Sequence, residues 1–514
     1  MAELCNHPSG IAIVTNSDSF SQRIKIDYGL LLRVKDPRTQ ATTQFLAGLL
    51  AFSLLFLTAF ALYWPILTDF FALDDYIWLQ AASNPNPADF FRRAFSFPAG
   101  TVFDVSTPFW RPAVDAYFFA AWRIFGLDPL PYHITNVALH GAIASLLALL
   151  LWQLTSSRLP GLLGGLLFVV LPTYDFAVTW ISSVTELLAA LFYLLTLVLF
   201  TAYLQGRAPG RWLYWGALGA LLLALLSKES AATIPVVLAG LVVVMEPPQS
   251  RTALLHRTRE LAPFAVLTLA YFVFLYFQEY RSGAEGGLYQ FGSHAWGNLW
   301  DYLKWMTLPI PDEWASWVEA VRPFAAIAFL VVGGLAIALR RRLLGLAFVW
   351  TLVALLPYAF FPAGIEYRYT YLASIPLTIF AVVLAKEGIT RLAPTLGPYP
   401  TMSVLAVAIL GLTVFLGTEA RDHQDALAFQ AQAYSELFHQ VPEVCGDLPP
   451  EGHIFLLQSP VFDLFGVSSR MALNLRYEDV HVGLIRAELP GLAAFIEDKC
   501  VVQYLSGRYV LETP

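Results

Sequence analysis

The feature that most constrains this chain is a series of apolar runs, each long enough to cross a lipid bilayer. A helix needs roughly 17 to 25 mostly apolar residues to cross about 30 Å of hydrocarbon. Only helices suit such runs, because backbone groups in lipid must be hydrogen-bonded within their own segment. The sequence therefore predicts an all-α membrane protein, a polytopic bundle of about 11 transmembrane helices. The predicted spans are 44–64, 134–154, 162–179, 187–204, 212–226, 231–245, 261–277, 323–339, 343–360, 371–384 and 402–416.

Composition supports this class and narrows the partners. Hydrophobic residues make up 57% of the chain and charged residues 13%, against roughly 45 to 50% and about 25% in soluble domains. A net charge of −7 indicates no nucleic-acid partner, because such partners call for a basic surface. The sequence also lacks the glycine-rich loops that cradle ATP or dinucleotides.

Basic residues predict how the chain is oriented. Arginine and lysine occupy alternate short loops, as in Arg340 to Arg342, and these residues are held on the cytoplasmic side of membranes. The prediction is a multi-pass protein of the cell membrane with a cytoplasmic segment at 1–43, a transmembrane domain at 44–417 and an extracytoplasmic domain at 418–514. The first apolar run begins more than forty residues into the chain, so it is interpreted as an uncleaved signal anchor.

The loops predicted outside the cell are longer than connectors need to be. They cover 65–133 and 278–322, and long loops on a rigid scaffold commonly carry function. The tail at 418–514 begins with a helical pattern and continues with strand-like runs, which predicts a small α/β domain. Cys445 and Cys500 both lie in this tail. An oxidising compartment would allow them to form a disulfide.

Two adjacent carboxylates, Asp74 and Asp75, follow the first apolar run. Like charges at a bilayer edge are costly to desolvate, which makes the pair a candidate functional site. The structural alternative is that one of them caps the helix beginning near Tyr76, since Asp is a favoured cap residue.

Other polar residues collect at the same predicted face, each at the outer end of a span. Cations and carboxylates gathered at one membrane face suit a reaction between a phosphate-bearing lipid and a polar acceptor. These residues are Arg111, His133, Asn136, His140, Glu186, Lys228, Glu366 and Arg368.

Five motifs in this order resemble the GT-C superfamily of polytopic glycosyltransferases, and within it the protein O-mannosyltransferase-like group. They are Asp-Asp after the first span, Trp-Arg-Pro before Tyr-His-x-x-Asn-x-x-x-His, Trp-Ile-Ser-x-x-x-Glu, Ser-Lys-Glu-Ser and Glu-x-Arg-Tyr-x-Tyr. The resemblance covers roughly residues 46–384. The chain departs from that group in two ways: its tail shows no 34-residue helical repeat, and Leu171-Pro172 stands where the group has His-Pro.

The resemblance implies an inverting transfer of a sugar from a polyprenyl-phosphate donor to an extracytoplasmic protein, lipid or glycan acceptor. By position, Asp74 is the expected general base, with Asp75 assisting. Arg368 is the expected partner of the donor phosphate, because a guanidinium can bind phosphate through two parallel hydrogen bonds. Lys228 and Arg111 are further candidates for that role.

Several of these residues also have structural interpretations. Arg368 could pair with Glu366 at the interface, and Lys228 could pair with Glu229 at a helix end. Glu186 could contact the acceptor or simply begin the fourth span.

One helical face carries three polar residues, His133, Asn136 and His140. On such a face, hydrogen bonds between packed helices are commoner than metal ligation. No cofactor is certain, although Asp74 and Asp75 could hold a Mg²⁺ or Mn²⁺ ion through their oxygens.

A transporter or flippase of lipid-linked or polar solutes is the alternative functional class. It would place charges near the middle of spans and break paired helices in two related halves. The sequence instead gathers its polar groups at the ends of spans, which favours the transferase.

Overall fold

A computed structural model describes most of the chain. The described residues are 37–95, 101–102, 105–106, 110–207, 209–282, 290–310, 316–362, 364–392, 398–422, 425–461, 467–477, 480–485 and 499–511. The predicted cytoplasmic segment therefore lies outside them except for residues 37–43, and the second long outer loop is described only in part. Of these, residues 37–50 belong to one compact unit, and the described residues from Ala51 onward belong to the other.

Helices dominate the described residues. They are α1 (Pro37–Leu62), α2 (Asp75–Ala82), α3 (Pro87–Phe95), α4 (Pro112–Phe125), α5 (Pro129–Thr155), α6 (Arg158–Val169), α7 (Asp175–Thr179), α8 (Val184–Leu204), α9 (Gly210–Ser227), α10 (Ile234–Met245), α11 (Arg251–Ser282), α12 (His294–Thr307), α13 (Ser316–Ala338), α14 (Arg342–Ala359), α15 (Thr370–Leu392), α16 (Pro398–Asp422), α17 (Asp425–Cys445) and α18 (Val467–Asn474).

The apolar helices coincide with the predicted spans, and the chain is a multi-pass membrane protein. Among the described residues, 8 helical segments are long and apolar enough to cross a bilayer, and shorter apolar helices lie at Arg158–Val169, Glu229–Met245 and Ala406–Gly417. The third predicted span, 162–179, is interrupted: α6 ends at Val169, and a 3-10 turn at Pro172–Tyr174 precedes α7. The residue before a proline disfavours helical backbone, which explains the break.

The tail forms the small α/β domain that its sequence pattern predicts. It contains the strands β3 (His453–Leu457), β4 (His481–Ile485), β5 (Cys500–Leu505) and β6 (Arg508–Leu511), and its sheet has the order β4-β3-β5-β6. The central strand β3 is parallel to β4 and β5, and β6 is antiparallel to β5. Cys445 and Cys500 form a disulfide with their Cα atoms 5.7 Å apart. Two further short strands, β1 (Thr101–Val102) and β2 (Val105–Ser106), pair in the segment predicted as the first outer loop.

The tail domain packs directly on the first outer loop. Residues of α2, α4 and α17 belong to one buried apolar cluster. Within it the Tyr76 and Tyr434 ring centroids are 5.2 Å apart, and those of Phe70 and Phe438 are 5.6 Å apart. The tail and the first outer loop therefore lie on the same side of the membrane.

Candidate functional site

The two acids of the first outer loop occupy opposite environments. Leu73 adopts a left-handed backbone with φ of 54°, which is unusual for a branched side chain. Directly after it, Asp74 is exposed, whereas Asp75 is 1% exposed and begins α2. Asp74 occupies the cap position of α2, but its side chain makes no capping hydrogen bond. The capping interpretation therefore fails for Asp74.

Asp75 holds the acid loop against the loop that precedes α8. Its Oδ2 accepts a hydrogen bond from the Ala72 amide at 2.9 Å, and its Oδ1 accepts from the Ser182 amide at 2.7 Å and from the Ser182 hydroxyl. The Trp180 indole donates to the Ala72 carbonyl at 3.2 Å. Burial raises the pKa of Asp75 to about 7, although the hydrogen bonds oppose that shift. These contacts make Asp75 a group that positions the loop.

Polar residues of α5 contact both the acid loop and the loop that precedes α8. The His133 Nε2 lies 3.2 Å from the Asp69 carbonyl oxygen. The Asn136 amide donates to the carbonyls of Val178 and Trp180, at 3.3 and 3.0 Å. The His-x-x-Asn pattern therefore serves packing in this structure, the commoner of its two interpretations.

Arg111 and Glu229 form a forked ion pair. The Arg111 Nη2 lies 2.9 and 3.1 Å from the two Glu229 carboxylate oxygens. Their side chains are only 10% and 9% exposed. The pair joins the first outer loop to the turn between α9 and α10, which also confirms that these segments meet at one face.

Lys228 forms an ion pair with Glu186 of α8. The Lys228 Nζ contacts a Glu186 oxygen, and both side chains are almost fully buried. Tyr358 donates a hydrogen bond to the other Glu186 oxygen at 3.2 Å. The Lys228 Nζ also lies 4.5 Å from the centre of the Tyr369 ring. The contacts favour a structural role for this buried pair.

Arg368 differs from the other two cations because its carboxylate partner is open to solvent. Its Nε lies 3.0 Å from Glu366 Oε2 without hydrogen-bond geometry, and Glu366 is 55% exposed. The Arg368 guanidinium stacks 4.5 Å above Trp180 and donates to the Tyr369 hydroxyl at 3.3 Å. Trp180 in turn donates to the Ala72 carbonyl of the acid loop, and the Tyr369 ring lies beside Lys228. Arg368 therefore connects the acid loop with the buried ion pairs.

Comparison with known proteins finds similarity over part of the chain to one class of enzymes. No protein-family model matches the chain. Protein O-mannosyl-transferase Tmtc1 of Drosophila melanogaster is 32% identical over 142 residues, and Protein O-mannosyl-transferase TMTC3 of Homo sapiens is 30% identical over 129 residues. The chain is similar to protein O-mannosyl-transferases. These matches cover 27% and 24% of this chain but only 16% and 14% of the two relatives.

The similarity to protein O-mannosyl-transferases confirms the family resemblance found in the motifs. Among solved structures, ArnT from Cupriavidus metallidurans in the apo state aligns over 90% of this chain and 93% of its own, with a TM-score of 0.49 and 13% identity. Its undecaprenyl phosphate-bound form gives a TM-score of 0.38. Likeness at that level is too loose to support an assignment.

Three residues of this site were not singled out from the sequence as site residues. Ser182 supplies two of the hydrogen bonds to Asp75, and Tyr369 touches both Arg368 and Lys228. Both stand inside motifs that were noted, Trp-Ile-Ser and Glu-x-Arg-Tyr. Asp69 is the third: burial raises the pKa of its carboxyl to about 6. Its only sequence signal was its nearness to the acid pair.

The two candidate metal ligands, Asp74 and Asp75, present their carboxylates to different surroundings. Both Asp75 oxygens already accept hydrogen bonds from protein donors, and Asp74 faces outward. Within the described parts of the chain, no group of three or more His, Cys, Asp or Glu side chains could hold a metal ion.

Proposed function

We propose that the chain is a membrane glycosyltransferase of the GT-C type that transfers a sugar from a polyprenyl-phosphate donor to an acceptor outside the cytoplasm. The observation that carries the proposal is that Trp180 joins the loop of an exposed acid, Asp74, to Arg368, an arginine whose carboxylate partner faces solvent: the Trp180 indole donates to the Ala72 carbonyl, and the Arg368 guanidinium stacks on its ring. A base for the acceptor and a cation for the leaving phosphate are the two groups that this reaction requires.

The proposed step is a single displacement. Asp74 removes the proton from an acceptor hydroxyl, and the acceptor oxygen bonds to the anomeric carbon as the bond from that carbon to the phosphate oxygen breaks. Polyprenyl phosphate leaves from the opposite face with the bonding electron pair, which inverts the anomeric configuration. Arg368 would bind the leaving phosphate and stabilise its charge.

The remaining candidates are proposed to support these two groups. Asp75 fixes the turn that presents Asp74. Lys228 and Arg111 contribute positive potential near the phosphate, but their buried partners Glu186 and Glu229 offset most of their charge. Glu366 is proposed to guide Arg368 until the donor phosphate replaces it as the partner.

The names of the relatives support the choice of sugar and acceptor class. They are named protein O-mannosyl-transferases, so a hydroxyl on an extracytoplasmic protein and a mannose-type sugar are the first substrates to test. A lipid or glycan acceptor remains an alternative within the same proposal. The site lies on the outer face if the basic loops are cytoplasmic, which places the C-terminal domain outside with it.

A purified-protein assay tests the proposal. The full chain in lipid nanodiscs is incubated with radiolabelled polyprenyl-phosphate mannose and a membrane-protein fraction as acceptor. The expected result is label in protein together with free polyprenyl phosphate, in wild type but not in Asp74→Asn. Movement of intact donor between leaflets without cleavage would instead favour the flippase alternative.

The same assay in excess EDTA is expected to retain activity, because no proposed step needs an ion at the acid pair. Loss of activity that Mg²⁺ or Mn²⁺ restores would contradict a metal-independent mechanism.

A further inference from the structure

A groove of about 440 Å³ runs between α10, α13 and α14, away from the candidate site. Its walls are apolar, with Val236 and Val243 from α10, Ile337 from α13, and Val349 and Trp350 from α14. The outer parts of these walls are open, since Val236, Val243 and Ile337 are each about half exposed. The shape and chemistry suit a hydrocarbon chain.

Three consecutive arginines line one end of this groove. Arg340 and Arg341 lie in the turn between α13 and α14, Arg342 begins α14, and all three are exposed. Arg341 lies 3.6 Å from Glu387. Among the residues that the structure describes, Arg340 and Arg342 make no ion pair, so their charges are available to a ligand.

The basic end of the groove and the candidate site lie at opposite ends of α14. Arg342 begins this helix, and Tyr358, near its last residue, contacts Glu186 of the site. A helix rises about 1.5 Å per residue, so these ends are separated by roughly 25 Å, close to the thickness of a hydrocarbon core. The groove therefore opens at the membrane face opposite the site.

We propose that this groove binds an anionic glycerophospholipid, with an acyl chain along the valine-lined wall and its phosphate between Arg340 and Arg342. Guanidinium groups bind phosphate oxygens in a forked geometry, and basic pockets between transmembrane helices are suited to anionic headgroups. The net negative charge of the headgroup complements the arginine cluster, whereas a zwitterionic lipid carries no net charge to match it. The groove is independent of the transferase proposal.

Native mass spectrometry of the full chain, released from nanodiscs of mixed phosphatidylglycerol and phosphatidylcholine, tests this binding. Wild type is expected to retain phosphatidylglycerol preferentially. The double variant Arg340→Gln/Arg342→Gln is expected to lose that preference by roughly tenfold or more, because each nearby arginine adds to the attraction of an anionic lipid. The control Arg207→Gln/Arg251→Gln removes the same charge from other basic loops and should leave retention unchanged. Equal retention of both lipids by wild type, or equal losses in both double variants, would overturn the proposal.

A second pair of variants tests the apolar wall without changing charge. Val243 lines the groove and is 53% exposed, and Val331 of α13 is 54% exposed but does not line it. Val243→Trp is expected to fill the groove and displace phosphatidylglycerol, while Val331→Trp should not. Retention of phosphatidylglycerol by both variants would overturn the proposed binding site. Preferential capture of added polyprenyl phosphate over phosphatidylglycerol would overturn the proposed occupant.

Discussion

Asp74 and Asp75 share a charge but not an environment, and the difference separates their proposed roles. The exposed Asp74 can reach a substrate, while both oxygens of Asp75 are held by the protein. The sequence identified the pair and favoured Asp74 as the base. It could not show which acid faces outward, because that depends on the backbone of Leu73 and on Ser182, which is more than a hundred residues away.

Replacing Asp74 with Asn is expected to abolish transfer and leave the fold intact. General-base catalysis contributes roughly 10² to 10⁴ in rate, and Asp74 makes no capping bond that stabilises α2. Turnover would be measured beside thermal unfolding in detergent. Activity within a few-fold of wild type would remove Asp74 from the proposed mechanism.

Replacing Asp75 with Asn is expected to destabilise the protein. The amide NH₂ would face an N–H donor of Ala72 or Ser182, and an unsatisfied buried group costs about 1 to 3 kcal/mol. The raised pKa adds a pH signature. The folded state holds the Asp75 proton up to about pH 7, whereas the unfolded chain releases it near pH 4, so this group favours folding less as pH rises through that window. The decline in melting temperature from pH 5 to pH 8 should be shallower in Asp75→Asn than in wild type; equal slopes would contradict the shift.

Arg368 is expected to determine affinity for the donor. Losing a charged hydrogen bond costs about 1.5 to 3 kcal/mol, so Arg368→Gln should raise the KM for the polyprenyl-phosphate donor by roughly tenfold or more. Arg368→Lys should restore only part of the loss, because lysine lacks the guanidinium fork. Arg92→Gln is the control: Arg92 lies in the first outer loop, where it is paired with Asp89 and is 76% exposed. An unchanged donor KM in Arg368→Gln would show that the phosphate binds elsewhere.

At the scale of the elements, the length of the apolar runs was enough to predict the spans. It was not enough to predict which residues at the ends of the spans contact one another. Lys228 and Glu229 are neighbours in sequence, yet each pairs with a residue from a different element, Glu186 and Arg111 respectively. Such partners depend on how α8, α9 and the first outer loop are placed, which local pattern does not encode. Likewise, the third span was predicted as continuous because its apolar pattern masks the break at Pro172.

The Lys228–Glu186 pair is expected to behave as a buried unit. Lys228→Met alone leaves a buried carboxylate without its cation, a loss of roughly 3 to 5 kcal/mol. The double variant Lys228→Met/Glu186→Leu should recover much of that stability, because apolar residues often replace a buried pair at little cost. Thermal unfolding of the two variants in the same detergent measures the difference. A double variant no more stable than Lys228→Met would indicate that the pair is not an isolated structural unit.

At the scale of the whole molecule, the shared core of the tail and the first outer loop constrains the topology. With only the 8 long helices crossing, seven crossings would separate the first outer loop from the tail and place them on opposite sides. Their direct packing requires an odd number of the three shorter helices to cross as well. All eleven predicted spans satisfy this condition. They also bring the loops bearing Asp75, Ser182, Lys228 and Arg368 to one face, as the contacts among them require.

Mass spectrometry of surface glycans and glycoproteins is the most direct test of the central claim. It would compare cells lacking this chain with cells complemented by wild type or by Asp74→Asn, each verified by immunoblot to be present in the membrane. The account predicts that a defined sugar modification disappears without the chain, returns with wild type and stays absent with Asp74→Asn. Identical modification in all strains, or full restoration by Asp74→Asn, would contradict it.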